Sequence, residues 1–167
     1  MLLLPHPKAG DAYEHAFKQT KQVLAVTDHL TNDHRLINYA ATFTEKGGTL
    51  YLCHVEDQLN FQRTIEAISK IPTIETADAE RRLGEQLLKE PRNYINSCRG
   101  VLDKANQGIT VEAVVEFGHH LAEYRKVIEK EQADLLVMNT KDDDQLAMHG
   151  LAYPLAVELR QLPLLML

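Results

Sequence analysis

Several histidines and carboxylates follow short apolar runs, where their side chains could bind a metal ion or titrate near neutral pH. His29, His119 and His149 each lie at or after the end of a predicted strand, with Asp28 and Asp142 nearby in the sequence. Imidazole and carboxylate groups are ligands for divalent metals, and histidine changes its charge near neutral pH. No His-x-x-x-His or comparable spacing fixes their geometry, so the sequence favours packed histidines over a metal site.

The same strand ends supply residues for a small-ligand site. The candidate ligand-binding residues are Thr27, Asp28, His29, Val55, Gly118, His119, Asn139, Asp142 and Gly150. In parallel sheets, ligands bind beyond the carboxyl ends of the strands, near the point where the strand order reverses. The ligand classes that suit such a site are AMP or another nucleotide, a metal ion and a small anion.

Alternating apolar runs and turn residues predict the elements that position these side chains. Strands are expected at 22–27, 49–55, 109–117, 133–140 and 162–167, and helices within 32–48, 58–70, 76–105, 121–132 and 150–161. Strands that alternate with helices of this length are typical of a parallel sheet. We therefore expect a doubly wound α/β fold with five parallel strands and helices on both faces.

The first twenty residues fit no strong period. They include Pro5, Pro7 and Gly10, so residues 1–20 are expected to be an arm that is either disordered or packed on a partner. It could also be a junction left by excision from a longer protein. The remaining residues, 21–167, are expected to form one domain, since a chain of 167 residues has single-domain length.

The composition argues against several classes of partner. Lysine and arginine total 18 against 24 acids, and the formal charge of −6 disfavours binding to nucleic acid. No apolar run is long enough for a signal peptide or a membrane span, so no direct membrane insertion is expected. Cys53 and Cys98 lack metal-ligand spacing and indicate a reducing, cytoplasmic setting.

Three segments in order carry a family resemblance: VLAVTDHLTNDHRLINYA, GGTLYLCHVED, and GITVEAVVEFGHHLAEYRKVIEKEQADLLVMNT, followed by a terminal LPLLML. Across residues 21–167 the chain resembles the universal stress protein family. Asp28, His54 and Gly118 occupy positions where the family has an aspartate, the histidine of LxHV and a glycine. The resemblance implies an adenine-nucleotide α-hydrolase-like fold, commonly a homodimer, and in one branch ATP bound against the aspartate and a glycine-rich loop.

The glycine-rich loop of that ATP-binding branch is degenerate here. Its pattern Gly-x2-Gly-x9-Gly-(Ser/Thr) places Asn139 and Asp142 at the first two glycines, Gly150 two residues early, and Leu151 at the hydroxyl residue. Glycines let backbone amides approach phosphate, whereas the run 142–144 of three aspartates would repel it. We therefore expect no cofactor and no ATP binding in the family manner, although ATP or AMP stays an alternative.

The C-terminal segment predicts an interaction surface. Its residues Leu162, Pro163, Leu164, Leu165, Met166 and Leu167 would form an edge strand with unpaired backbone groups beside an apolar face. The family resemblance implies that such strands pair across a dimer, in an isologous interface. A homodimer built partly on residues 162–167 is the expected assembly.

Three functions are compatible with these observations. The favoured one is a non-enzymatic stress-response or regulatory module that acts as a dimer through contacts with an unknown protein partner. The alternatives are a cytoplasmic regulatory domain of a membrane transporter or kinase, and a small-ligand sensor at the strand ends. No nucleophile with a His/Asp partner pattern and no assignable pair of catalytic carboxylates is found, so an enzyme is not expected.

Overall fold

The computed structural model describes residues 1–5, 19–26, 33–105, 108–140, 152–159 and 161–167. The strands are β1 (Leu2–Leu3), β2 (Gln22–Val26), β3 (Thr49–Asp57), β4 (Thr110–Gly118), β5 (Leu135–Met138) and β6 (Leu164–Met166). The helices are α1 (His34–Phe43), α2 (Gln58–Ser69), α3 (Thr76–Lys104), α4 (His120–Glu131) and α5 (Ala152–Glu158). Each element predicted from residue 22 onward has a counterpart in the fold.

The strands form one sheet in the order β1-β6-β5-β2-β3-β4. β2 pairs in parallel with both β3 and β5, and β5 pairs in parallel with β6. β1 pairs antiparallel with β6. The predicted α/β class is confirmed, but the number of strands was wrong: the sheet has six rather than five, because a two-residue strand is too short to show a period in the sequence.

The core lies in two layers, one on each face of the sheet. On one face α1 and α3 cover β2, β3 and β5, through Leu36, Ile37, Ala40 and Ala41 of α1 and Ile95 and Leu102 of α3. On the other face Tyr124, Val127, Leu155 and Leu159 cover β2, β5 and β6. Alternate residues of each strand point to opposite faces, so the nearly continuous apolar strands fill both layers. No helix in these described ranges is long and apolar enough to cross a membrane.

Helix α1 ends earlier than the glycine pair at 47–48 suggests. Thr44 has extended backbone geometry, and its hydroxyl donates to the Ala40 carbonyl oxygen at 2.8 Å. That bond satisfies a carbonyl of the last turn and lets the chain leave the helix at Phe43. Gly47 then adopts φ +80°, where a side chain would be strained, and leads the chain into β3.

Residues 1–5 of the predicted arm are part of the fold. Leu2 pairs with Leu165 and Leu3 with Leu164, so β1 lies outside β6 in the sheet. The expectation that residues 162–167 form the outermost strand is therefore corrected. Residues 6–18 lie outside the described part of the chain.

Candidate functional site

The carboxyl ends of β2, β3, β4 and β5 meet at one edge of the sheet. β2 lies between β5 and β3, so the strand order reverses at β2. Within the described residues, β2 and β3 are paired as far as Val26 and Cys53, and β3 and β4 as far as Asp57 and Gly118. Residues 54–57 and 115–118 thus lie beyond the described part of β2, and we call them the strand-end shelf. Among the described residues, no strand pairs with the β2-facing backbone of 54–57.

Asn139 and Asp33 are joined directly at the point of reversal. The Asn139 amide donates to Asp33 Oδ2 at 2.6 Å, and Asp33 Oδ1 accepts from the Leu36 backbone N–H at 3.0 Å. Asp33 is thus both the N-cap of α1 and an anchor for the residue that follows β5. Asn139 is among the predicted ligand-binding residues and Asp33 is not, although an aspartate immediately before a helical apolar stripe is a capping signal.

His54 is buried on the shelf. Its side chain is 9% exposed, and its Nε2 lies 3.3 Å from Glu56 Oε2. Its Nδ1 is buried and has no hydrogen-bond partner in the described part of the chain. His54 is therefore packed within the fold, and its partner is a carboxylate two residues along the strand.

Gly118 provides space for a side chain of the protein itself. A Cβ at this position would overlap the side chain of Glu123, whose carboxyl carbon would lie 3.0 Å away. Glu123 lies in the first turn of α4, is 18% exposed and pairs with Lys126 at 2.6 Å. His119 is the N-cap residue of α4 but makes no side-chain capping bond. The amino end of α4 therefore already has a carboxylate beside it, which opposes an incoming anion.

Two side chains of β3 near the shelf belong to the core. Val55 is 1% exposed, so only its backbone could contact a ligand. Cys53 is fully buried, and burial followed by the charges of Glu116 and Glu131 raises the pKa of its thiol far above the ordinary range. A neutral buried thiol is not a nucleophile at neutral pH.

The remaining candidate ligand residues are not described by the structure. Thr27, Asp28, His29, Asp142, His149 and Gly150 lie outside the described residues, as do the other aspartates of the 142–144 run. Within the described ranges, no group of three or more histidine, cysteine or acidic side chains could hold a metal ion. The structure thus brings together Asn139 with Asp33 and, separately, Gly118 with Glu123 and His119.

Comparisons with known proteins agree with this fold. Residues 19–150 match the model of the Universal stress protein family. The chain is similar to the solved structure of hypothetical protein MJ0577, with 21% identity, TM-score 0.67, and coverage of 89% of this chain and 96% of that chain. It is also similar to hypothetical protein PH0823, with 17% identity, TM-score 0.61 and the same two coverages of 89% and 96%.

A universal stress protein family member from Burkholderia pseudomallei is a more distant structural match. It is 20% identical, with a TM-score of 0.49 and coverage of 89% of this chain and 96% of that chain. No curated protein sequence matches significantly. At these identities the solved structures support the fold alone.

Proposed function

This chain belongs to the universal stress protein family and is therefore a stress-response domain, and we propose that it is a non-enzymatic regulatory module that acts as a dimer through protein contacts. In this proposal it binds no ATP in the family manner and works in the cytoplasm. The proposal rests on one observation at the carboxyl edge of the sheet: the acidic side chains there already cap helices or pair with other side chains of the chain.

Four carboxylates lie at the strand ends or in the adjoining helix turns. Asp33 caps α1, and Asp57 caps α2 by accepting from the Asn60 backbone N–H at 2.7 Å. Glu56 pairs with His54, and Glu123 covers Gly118. A triphosphate at this edge would meet like charge. These carboxylates could not move aside without breaking the helix caps and pairs that they form. This supports a module without a nucleotide cofactor.

The proposed dimer uses residues 162–167. Leu164, Leu165 and Met166 are 2%, 8% and 1% exposed, so their side chains already belong to the core of their own chain. The part of β6 that a second copy could use is its backbone edge, which offers unpaired groups once uncovered. An isologous dimer of this kind would extend the sheet from one protomer into the other.

Thermal-shift measurements on chelator-treated protein test the ligand part of the proposal. The ligands are ATP, AMP, cyclic nucleotides, divalent metals and bicarbonate, each at about 1 mM. A ligand with Kd of about 10 μM would then stabilise the protein by about 2.7 kcal/mol, a shift of several degrees. We expect no such shift with ATP, and a shift of several degrees would refute the proposal.

Restoring glycines tests the loop argument independently. The variant with Asp142→Gly and Asp143→Gly removes two carboxylates and two Cβ atoms from the positions that replace the family's glycine-rich segment. We expect an ATP-dependent thermal shift larger than that of the unchanged chain. The variant with Asp142→Asn and Asp143→Asn is the matched control, since it removes the charge but keeps the side chains.

One observation favours a second candidate, a small-ligand sensor. Among the described residues, no strand pairs with the β2-facing backbone groups of 54–57, and the buried Nδ1 of His54 has no hydrogen-bond partner. These groups suit a neutral or weakly charged ligand better than a phosphate. A shift with bicarbonate that disappears in His54→Phe would favour the sensor. The regulatory domain of a transporter or kinase stays a prediction that the full open reading frame would test.

A further inference from the structure

Strand β1 occupies the outer edge of β6 by full backbone pairing. The Met166 N–H donates to the Met1 carbonyl oxygen at 2.7 Å, and the Met1 nitrogen donates to the Met166 carbonyl oxygen. Met1 and Met166 thus exchange both bonds, and in an antiparallel pair the next such exchange falls two residues along, at Leu3 and Leu164. Leu2 and Leu165 form the intervening pair, with the Leu2 N–H turned away from β6.

The direction of β1 is the one that a second copy would present. β1 is antiparallel to β6, whereas all the other strand pairs described in this sheet are parallel. When a two-fold axis pairs a strand with its own copy across a sheet edge, the two strands run antiparallel. β1 therefore lies on β6 in the orientation that the β6 of a partner would take.

The side chains of β1 are also similar to those of β6. Residues 1–3, which contain β1, have the sequence MLL, and β6 is LLM. Leu3 packs against the same core layer as Leu164 and Met166. The apolar contacts that β1 makes are thus of the kind that a second β6 would make.

β1 is a short strand, and much of the surface of its residues is exposed. It has two strand residues, and Met1, Leu2 and Leu4 are 65%, 45% and 47% exposed. Short segments with little buried surface open more readily than the core. β1 can therefore leave the edge while β6, held by β5, stays in place.

We propose that β1 is an intrachain competitor for the β6 edge, so that pairing with a second copy of this chain through β6 requires each protomer to release its own β1. The inference rests on the proposed dimer and identifies what regulates it. Any process that draws residues 1–5 away from the sheet would promote assembly, and β1 in place would favour the monomer.

Proline substitutions test this mechanism, because they remove a donor from one side of β1 at a time. Leu3→Pro deletes the N–H that faces β6, and Leu2→Pro deletes the N–H that faces away, which an edge strand tolerates. Dimer dissociation constants would be measured by sedimentation velocity between about 0.1 and 100 μM. We expect Leu3→Pro to tighten the dimer at least about tenfold, or about 1.4 kcal/mol, and Leu2→Pro to leave it within about twofold.

Deletion of residues 1–5 is the second variant. It removes β1 without touching the region 19–150 that matches the family. We expect a dimer at least as tight as that of Leu3→Pro, with circular dichroism confirming the fold. The added substitution Leu165→Pro, which removes an N–H on the β5 side of β6, should weaken that dimer.

The outcomes separate the inference from the proposal beneath it. A dimer of equal affinity in the unchanged chain, Leu3→Pro and the deletion would overturn competition by β1 and leave the dimer intact. Loss of the dimer on deletion would mean that β1 holds the two copies together, and would also overturn it. If neither the unchanged chain nor the deletion dimerises up to 100 μM, the proposed dimer itself fails, and the inference with it.

Discussion

The two outermost parallel strands of the sheet, β4 and β6, are covered in different ways. At the β4 edge, two arginines of α3 cover the strand: Arg92 donates to the Val115 carbonyl oxygen at 3.3 Å, and Arg99 Nε donates to the Val111 carbonyl oxygen at 2.8 Å. At the β6 edge, the backbone of β1 covers the strand. The outer side of β4 is covered by side chains, and the outer side of β6 is covered by another strand.

The difference decides what each edge can accept. The arginines lie where a new strand would have to run, and beside them is a cavity of about 340 Å³ lined by Arg92, Asn96, Arg99, Glu112, Ala113 and Val115. Charged side chains on an edge strand disfavour pairing with another chain. β1 instead preserves strand geometry at its edge, so another strand can replace it. We infer that β4 is a closed edge and β6 an exchangeable one.

The largest effect on the free energy of unfolding is expected for a substitution in β6, the strand that β1 covers. Leu164→Ala removes a side chain that is 2% exposed in the core, and should lower the free energy of unfolding by about 3 kcal/mol. Leu2→Ala changes a side chain of β1 that is 45% exposed and should cost less than about 1 kcal/mol. Urea denaturation measures both. If Leu2→Ala cost as much as Leu164→Ala, β1 would be an integral strand and the contrast between the edges would disappear.

A smaller effect on the free energy of unfolding is expected at β4, the strand that the two arginines cover. Replacing both Arg92 and Arg99 by Met removes two charged donors to β4 carbonyls and should cost about 1–2 kcal/mol, a modest amount because the site is partly exposed to solvent. The double variant should also self-associate with rising concentration, as light scattering would show. Arg82→Met is the control, since Arg82 is 72% exposed and pairs with Asp78 on the same helix. Lower stability without association would mean that the arginines hold α3 rather than guard the edge.

The smallest effect on the free energy of unfolding at neutral pH is expected for a substitution of Tyr51 on β3, which lies between β4 and β6. Tyr51 donates to Glu131 Oε2 at 3.0 Å, and burial, followed by Glu131, raises the pKa of Tyr51 from 10.0 to about 12. Because this pKa is raised by folding, the stabilisation is complete below about pH 10 and is lost as the pH rises through about 12.

Urea denaturation at several pH values checks this expectation. Tyr51→Phe should lose less stability than the unchanged chain between pH 10 and pH 12, because it has no phenol to ionise. Tyr39→Phe, at an exposed position on α1, is the control. Equal alkaline losses in the unchanged chain and in Tyr51→Phe would show that Tyr51 does not couple folding to pH.

Much of the fold could be predicted from local patterns. The run 22–27 contains β2, the segment 32–48 contains α1 with its buried face of Leu36, Ile37, Ala40 and Ala41, and the run 162–167 contains β6. These succeed because the burial of one face leaves a period in the sequence. Less of the candidate site could be predicted: Asn139 was included, but its partner Asp33 is 106 residues away, and no local period links the two.

The sequence by itself determined the order of strands and helices from residue 22 onward, the two apolar layers and the family. Only the tertiary structure decided that Gly118 admits Glu123, that arginines of α3 close β4, and that Leu2–Leu3 closes β6. The reason is physical: a strand or helix forms where its own residues can bury one face, and the spacing of apolar residues along the chain shows where this is possible. Which backbone groups face outward, and which segment meets them, depends on register between residues as far apart as Met1 and Met166.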